Sequence, residues 1–169
     1  HEFLKNYGRY LNIEKPSLLD NIYYLFDYQL GYMYWRYFMW NFSGRQDDIQ
    51  GKMDLHGNWI TGINVLDSYI LDINQNNLPS DVLSNKGRNT YFLLPLIFGL
   101  IGFFFVFKKD KKLFWSMFVF FLFTGIAIQI YTNVRPFEPR ERDYSLVGSF
   151  YVFSLWIGIG VFATYSWLN

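Results

Sequence analysis

The sequence contains no cysteine, which excludes disulfide bonds and thiol chemistry. It is also poor in charge, because 17% of its 169 residues are Asp, Glu, Lys or Arg, against about 25% in typical soluble domains. With a formal net charge of +1, it gives no sign of a nucleic-acid-binding surface. The sequence also lacks the GxGxxG, Walker, GxSxG and HExxH motifs. It has no basic segment leading into a short apolar stretch, so no signal peptide is visible.

The residues that are present are unevenly distributed. The first ninety residues carry eight Lys or Arg and ten Asp or Glu, whereas three apolar stretches follow at residues 91–107, 113–131 and 146–168. A helix that crosses the hydrocarbon layer needs about 20 mainly apolar residues. The sequence therefore predicts an all-α membrane protein. Three transmembrane helices would lie within residues 91–169, preceded by an extracytoplasmic helical and loop region over residues 1–90. We expect the chain to be a fragment of a longer protein, whose remaining helices and the lipid bilayer would be its partners.

The charged residues next to the apolar stretches predict in which direction the helices cross the membrane. The loop KKDKK, residues 108–112, has a net charge of +3, and short loops rich in Lys or Arg favour the cytoplasmic side. Residues 1–90 and 132–145 would then be periplasmic, in a bacterial inner membrane. Three arginines in the second loop, together with Lys86 and Arg88, argue for the opposite direction. The compactness of the lysine loop favours the first.

The stretch NIYYLFDYQLGYMYWRYFMWNF, residues 21–42, is half aromatic. Its large side chains recur every three or four residues, which predicts a helix over residues 17–43, begun by Pro16 and Ser17. Tyr and Trp favour the membrane–water boundary, so we expect this helix to be interfacial. A fourth crossing remains open. It would bury Asp27 and Arg36 at roughly 2.5–3.5 kcal/mol each, unless they pair or face a cavity.

Two further features allow two interpretations each. The polar stretch at residues 43–59 contains Asp47, Asp48, Asp54 and His56, but their spacing matches neither a calcium loop nor a zinc helix. We predict a solvated or hydrogen-bonded loop and no metal site. The apolar stretches contain five glycines that suit close helix packing or reflect the general frequency of glycine in membrane helices: Gly99, Gly102, Gly125, Gly158 and Gly160.

Three stretches together resemble a known family. They are YMYWRYFMWNFSGRQDDIQG (residues 32–51), PLIFGLIGFFF (95–105) and RPFEPRERDYSLVGSFYVFSLWIGIGV (135–161). They are similar to the domain-of-unknown-function 2723 family of polytopic inner-membrane proteins, abundant in Bacteroidetes-type bacteria. That family is related to protein O-mannosyltransferases and belongs with the GT-C type of glycosyltransferase. The resemblance implies transfer of a mannose-like sugar from a polyprenyl-phosphate donor to a periplasmic protein or glycan, without an established cofactor.

The resemblance also implies where the chemistry lies. The usual acidic catalytic residue of such enzymes precedes the matching region, so the catalytic residue is not assigned and the fragment alone is expected to be inactive. Arginine forks bind phosphate oxygens bidentately, which makes Arg140 and Arg142 candidates for binding the donor phosphate. Supporting residues would be Glu138, Glu141 and Asp143, and second-tier candidates are Arg36, Arg45, Gln46 and Asp47.

Other interpretations stay open at this point. In one alternative, the charged loop is a structural ion-pair network instead of a phosphate site, with Asp143 or Ser145 capping the third helix. The protein would then be a non-enzymatic membrane scaffold or envelope-assembly component. Transport is disfavoured, because transporters commonly place ionisable residues within their spans and these three stretches contain none.

Overall fold

The computed structural model describes residues 15–48, 58–133 and 143–169. These residues are mostly helical, with two strands of two residues each. The prediction of a wholly α-helical chain is therefore correct for the bulk of the described residues but overlooked a small sheet.

The aromatic helix, α1, comprises Leu18–Tyr23, a run of wider π-helical turns over Tyr24–Arg36, and Tyr37–Phe42. Ser17 caps its N-terminus: its hydroxyl accepts a hydrogen bond from the backbone N of Asp20 at 3.2 Å. The Asp20 carboxylate in turn accepts from the backbone N of Ser17 at 2.8 Å. This reciprocal pair is a capping box. The hydrogen bonds from the Ser17 side chain and backbone hold the pKa of Asp20 below its usual value.

A small sheet follows α1. Strand β1 (Gly44–Arg45) pairs antiparallel with β2 (Asn89–Thr90), with Gly44 opposite Thr90. On its other side Arg45 forms a bridge with Trp59. Gly44 has a φ of +149°, and a Cβ there would lie 2.8 Å from two carbonyl oxygens. Only glycine fits where three segments of backbone meet so closely. The predicted solvated or hydrogen-bonded loop is, over residues 44–48, hydrogen-bonded and largely buried, and its Gly44 and Arg45 belong to the sheet.

Short helices connect the outer segments of the sheet. They are α2 (Asn64–Ile70), a 3₁₀ turn at Gln75–Asn77 and α3 (Ser80–Leu83).

Three long helices form the rest of the described chain. Helix α4 spans Leu94–Lys109. Helix α5 comprises Lys111–Leu122, π-helical turns at Phe123–Ala127, and Ile128–Thr132. Helix α6 spans Asp143–Leu168.

The turn between α4 and α5 is held by Asp110. Its carboxylate accepts hydrogen bonds from the backbone N of Lys112 and of Leu113, at 2.9 and 3.0 Å. Asp110 therefore caps α5, and the chain reverses direction within the lysine-rich loop.

Among the described residues, two helices are long and apolar enough to cross a membrane: Lys111–Thr132 of α5 and Tyr144–Leu168 of α6. Only 17% of the apolar window of α5 is buried within the protein, whereas the core helix of a soluble protein would be mostly buried. The helix found at the first predicted span, residues 91–107, differs from the prediction more than α5 and α6 do. Phe92 and Leu93 adopt left-handed backbone angles (φ 53° and 58°), so α4 begins only at Leu94 and has 16 residues. At 1.5 Å per residue its length is about 24 Å.

Helices α4 and α6 run parallel in backbone contact. A Cβ on Gly102 would lie 1.8 Å from the carbonyl oxygen of Trp156, and one on Gly160 would lie 1.9 Å from that of Phe98. A Cβ on Gly158, in contrast, would have no neighbour within 4 Å. Packing thus explains Gly102 and Gly160, as it explains Gly99 against the ring of Phe153 and Gly125 against Tyr34 and Ser149, but not Gly158.

The core is an aromatic cluster where α1 meets α6 and α4. The ring centroid of Phe153 lies 4.6 Å from that of Phe38 and 4.6 Å from that of Phe42. Trp156, 2% exposed, packs edge-on against Phe103 at 5.0 Å. Such edge-to-face pairs add to the stabilisation that apolar burial provides. The core therefore joins the aromatic helix to the apolar helices.

Candidate functional site

The predicted phosphate-binding residues lie outside the described residues. Arg140 and Arg142, with the supporting Glu138 and Glu141, belong to residues 134–142, and Asp143 is described only as the first residue of α6. Their roles stay predictions. The ends of their loop are described: α5 ends at Thr132 and α6 begins at Asp143. Since α5 leads away from the lysine-rich turn, both ends lie away from that turn.

Arg36 stands apart from the other second-tier residues. It is buried in α1, where its Nε donates to the carbonyl oxygen of Tyr32 at 3.2 Å. Its guanidinium carbon lies 4.6 Å from the centroid of the Tyr32 ring. Both contacts lie within its own helix. The second is a cation–π contact with the aromatic face of Tyr32.

The remaining second-tier residues belong to one cluster, which we call the polar junction: Arg45, Gln46, Asp47, Asp67, Gln75 and Arg88. Trp40, on the last turns of α1, holds one side of it. The guanidinium carbon of Arg45 lies 4.0 Å from the centroid of the Trp40 ring. The indole Nε1 of Trp40 donates to the backbone carbonyl of Asp47 at 3.1 Å. One tryptophan thus fixes both ends of the segment from Arg45 to Asp47.

Gln46 and Asp47 are each 6% exposed. The backbone N of Gln46 donates to the carbonyl oxygen of Asn58 at 3.1 Å, which ties β1 to the segment carrying Trp59. Buried polar groups at this depth normally have hydrogen-bond partners. Within the part of the chain that the structure describes, however, the side-chain Oε1 of Gln46 has none.

Asp67 is the most completely bonded member of the polar junction. Its carboxylate is fully buried and accepts four hydrogen bonds. Thr61 donates through its backbone N at 2.7 Å and its hydroxyl at 2.8 Å, the backbone N of Gly62 donates at 3.0 Å, and the side-chain amide of Gln75 donates at 2.9 Å. A carboxylate with four donors has no acceptor position left for a ligand. Asp67 therefore organises the fold around the sheet.

Arg88 continues this chain of bonds. Its guanidinium donates to the side-chain oxygen of Gln75, so Asp67, Gln75 and Arg88 form a relay from α2 to the start of β2. The register that pairs Arg45 with Asn89 brings Arg88 to the level of Gln46. Buried atoms without a hydrogen-bond partner among residues 15–48, 58–133 and 143–169 include Arg45 Nε, Gln46 Oε1 and Arg88 Nη1.

The composition of the polar junction determines what it could bind. Two guanidinium groups each present a buried N–H that is not used within the described chain, and guanidinium donors match phosphate and carboxylate oxygens. The site could therefore hold an anion. Metal binding has less support. Outside residues 1–14, 49–57 and 134–142, which are not described, no three His, Asp or Glu residues lie close enough to hold an ion. Asp54 and His56 fall in the undescribed range.

The polar junction and the lysine-rich turn lie at opposite ends of α4. The sheet immediately precedes this helix, since Tyr91 N donates to the carbonyl of Ser43 at 3.2 Å, and Lys108 and Lys109 form its last turn. The separation is therefore about 24 Å, close to the thickness of the hydrocarbon layer.

The sequence indicated Arg45, Gln46 and Asp47 but not Trp40, which contacts Arg45 and Asp47. It also did not indicate the hydrogen bond between Asp67 and Gln75. Asp67 had a signal: it is the only charged residue in the stretch NWITGINVLDSYIL, residues 58–71. A lone carboxylate among apolar residues is either a cap or a buried group with several donors. Gln75, in a polar linker, carried no signal.

Comparisons with known proteins add no family or fold to this description. No protein-family model, no curated protein and no solved structure matches the chain.

Proposed function

We propose that this protein is part of a membrane glycosyltransferase that moves a mannose-like sugar from a polyprenyl-phosphate donor to a periplasmic protein or glycan. The proposal starts from the resemblance of three stretches to the domain-of-unknown-function 2723 family. One observation supports it most. Those three stretches pack on one another, through Phe38 against Phe153 and through Gly102 against Trp156. Stretches far apart in sequence thus form a single structural unit, as a shared family region would.

In this proposal α4, α5 and α6 all cross the inner membrane. Helix α4 is short for a span, but its backbone contact with α6 at Gly102 and Gly160 supports its lying at the same depth as its longer neighbour. The lysine-rich turn would be cytoplasmic because it carries four lysines in five residues. The polar junction, at the other end of α4, would then be periplasmic, with α1 at the membrane boundary.

The donor phosphate would bind at the loop between α5 and α6. Negative charge grows on the leaving phosphate in the transition state, so a cation already in position stabilises that state more than the ground state. Arg140 and Arg142 would supply it, oriented by Glu138, Glu141 and Asp143. Arg45 and Arg88 of the polar junction would add two further positive charges on the same side of the membrane. The general base would come from a preceding part of the parent protein.

A sugar-transfer assay tests this proposal. Membranes that contain the full-length parent protein would receive a polyprenyl-phosphate-linked, radiolabelled sugar, and transfer to the periplasmic acceptor would be measured. Arg140→Ala and Arg142→Ala should each lower turnover by roughly 10²–10³, the usual effect of losing one group that stabilises transition-state charge. The matched control is Lys112→Ala, which removes the same charge at the other end of the helices. It should leave turnover unchanged.

Wild-type turnover in both arginine variants, at wild-type protein level in the membrane, would remove the phosphate role. A non-enzymatic scaffold is the second candidate, and the saturated hydrogen bonding of Asp67 favours it, because that carboxylate builds structure without an open binding position. For a scaffold, the same arginine substitutions would lower the recovery of a partner complex and leave sugar transfer unaffected.

A further inference from the structure

We propose that the groove between the C-terminal ends of α4 and α6 binds an anionic phospholipid of the leaflet next to the lysine-rich turn. This lysine groove is lined by Phe104, Phe105, Lys108, Lys109 and Trp167 and has a volume of about 250 Å³. The inference depends on the proposed function only in requiring that α4 and α6 cross the membrane. It does not depend on sugar transfer.

The groove combines an apolar wall with a charged rim. The ring of Phe105 packs edge-on against Trp167, with centroids 6.3 Å apart. Lys109 lies above the same ring, its Nζ 5.9 Å from the centroid. An ammonium held over an aromatic face is weakly stabilised there and keeps its outer side available. The wall suits the first methylenes of an acyl chain, and the rim suits a phosphate.

The lysines have no acidic partner among the residues that the structure describes. Asp110 is the one carboxylate within the turn, and both of its hydrogen bonds go to the backbone of α5. Lys108, Lys109, Lys111 and Lys112 are all exposed. In the described ranges of the chain no salt bridge joins any of them to an acidic residue. Within the described part of the chain this positive charge is therefore not compensated, and it is available to a ligand.

The position of the groove fits a headgroup. It lies at the lysine end of α4, about 24 Å from the sheet, which is the level where one leaflet of a bilayer would place its phosphates. Trp167 is 65% exposed at that level, as expected of a tryptophan in the interfacial belt.

A lipid fits the groove better than another helix does. A transmembrane helix packed here would take Lys108 and Lys109 out of water without compensating their charge, which is costly. A lipid phosphate compensates the charge while its tail covers Phe104. Basic pockets between helices on the cytoplasmic side are the kind of site that anionic headgroups occupy.

Quenching of tryptophan fluorescence tests the inference. The protein would be reconstituted into phosphatidylcholine vesicles that contain either brominated phosphatidylglycerol or brominated phosphatidylcholine. Both brominated lipids would be titrated over the same range of mole fractions. Subtracting the signal of Trp167→Phe isolates the contribution of Trp167. We expect phosphatidylglycerol to quench Trp167 at several-fold lower mole fraction than phosphatidylcholine does. Inorganic phosphate added to the buffer should not reverse the quenching, because the site takes a lipid rather than a free anion.

The matched variants separate a site from a general surface charge. Lys108→Gln with Lys109→Gln should abolish most of this several-fold preference. Lys111→Gln with Lys112→Gln removes the same charge outside the groove and should keep most of it. Equal losses in the two double variants would overturn the groove, and so would equal quenching by both lipids in wild-type protein.

Failure of the groove can be told apart from failure of the wider proposal. Protein that inserts and transfers sugar, yet shows no lipid preference, contradicts the groove alone. Full-length parent protein that prefers phosphatidylglycerol but transfers no sugar contradicts the enzyme proposal alone. Protein that does not remain with the vesicles on flotation contradicts the membrane crossing on which both depend.

Discussion

The contact between α4 and α6 gives the sharpest structural prediction. In Gly102→Ala the new Cβ would lie 1.8 Å from the carbonyl oxygen of Trp156, whereas ordinary contacts begin at 3.4 Å. The difference, 3.4 − 1.8 = 1.6 Å, is the shift that the two backbones must make. The obstacle is a helix backbone, which cannot rotate away as a flexible side chain does.

The expected cost follows from this geometry. Overpacking a well-filled interior costs typically about 1–3 kcal/mol, and we expect Gly102→Ala to lie at the upper end, about 3 kcal/mol. The displacement would also disturb Trp156, whose ring packs against Phe103 at 5.0 Å and Phe121 at 5.3 Å.

The assay is unfolding in mild detergent, followed by tryptophan fluorescence during titration with a denaturing detergent. Gly158→Ala is the matched control. It makes the same chemical change two residues from Gly160, with no atom within 4 Å of the new Cβ. It should not destabilise the protein, because Ala is favoured over Gly in a helix interior by about 0.5–1 kcal/mol. If Gly102→Ala and Gly158→Ala unfold alike, α4 and α6 are not in backbone contact and the reasoning fails.

Two further predictions concern buried hydrogen bonds. Asp67→Asn should destabilise the protein by about 3 kcal/mol, because an amide NH₂ would face donors that now meet a carboxylate oxygen. The control Asp72→Asn changes an exposed residue in the same way and should be near neutral. Equal unfolding midpoints of the two variants would contradict the four hydrogen bonds to Asp67. The buried Tyr34 hydroxyl lies 2.7 Å from the Ser149 hydroxyl, so Tyr34→Phe and Ser149→Ala should each lower stability by about 1 kcal/mol. The double variant should cost less than their sum in the same unfolding assay, and strict additivity would show that the two groups are not coupled.

Several features of this fold could be predicted from the sequence because they depend on local patterns. Ser17 ends an extended segment before a run of helix-spaced aromatic residues, and α1 begins directly after it. The apolar stretches of α5 and α6 are long enough to be recognised by length and hydropathy alone. The lysine-rich loop is a turn because Asp110 is a good N-cap residue and no apolar residue continues the helix through it.

Other features could not be predicted because they depend on contacts distant in sequence. The strands β1 and β2 have two residues each, too short for any periodicity to appear. Gln75 has a role only because folding brings it between Asp67 and Arg88. The start of α4 is set by left-handed Phe92 and Leu93, a conformation that these residue types rarely adopt and that no sequence pattern announces.

The candidate site, too, could be predicted from the sequence only in part. Arg45, Gln46 and Asp47 are second-tier candidates because they lie in a stretch that carries the family resemblance, and the contacts with Trp40 and Asn58 explain why Gln46 and Asp47 are buried. Some of its guanidinium and amide atoms have no hydrogen-bond partner among the described residues. Other segments bury them, which composition cannot reveal. The predicted roles of Arg140 and Arg142 depend on the family resemblance and on general phosphate chemistry.

The central claim is that the lysine-rich turn and the loop before α6 lie on opposite sides of a membrane, with the loop outside. The chain has no cysteine, so single cysteines can be introduced without a background. Lys112→Cys and Tyr144→Cys replace exposed residues, the second 75% exposed. In intact cells treated with a membrane-impermeant maleimide, Tyr144→Cys should react at once and Lys112→Cys only after the membrane is permeabilised. Reaction of both from the same side, or of Lys112→Cys alone from outside, would contradict the claim.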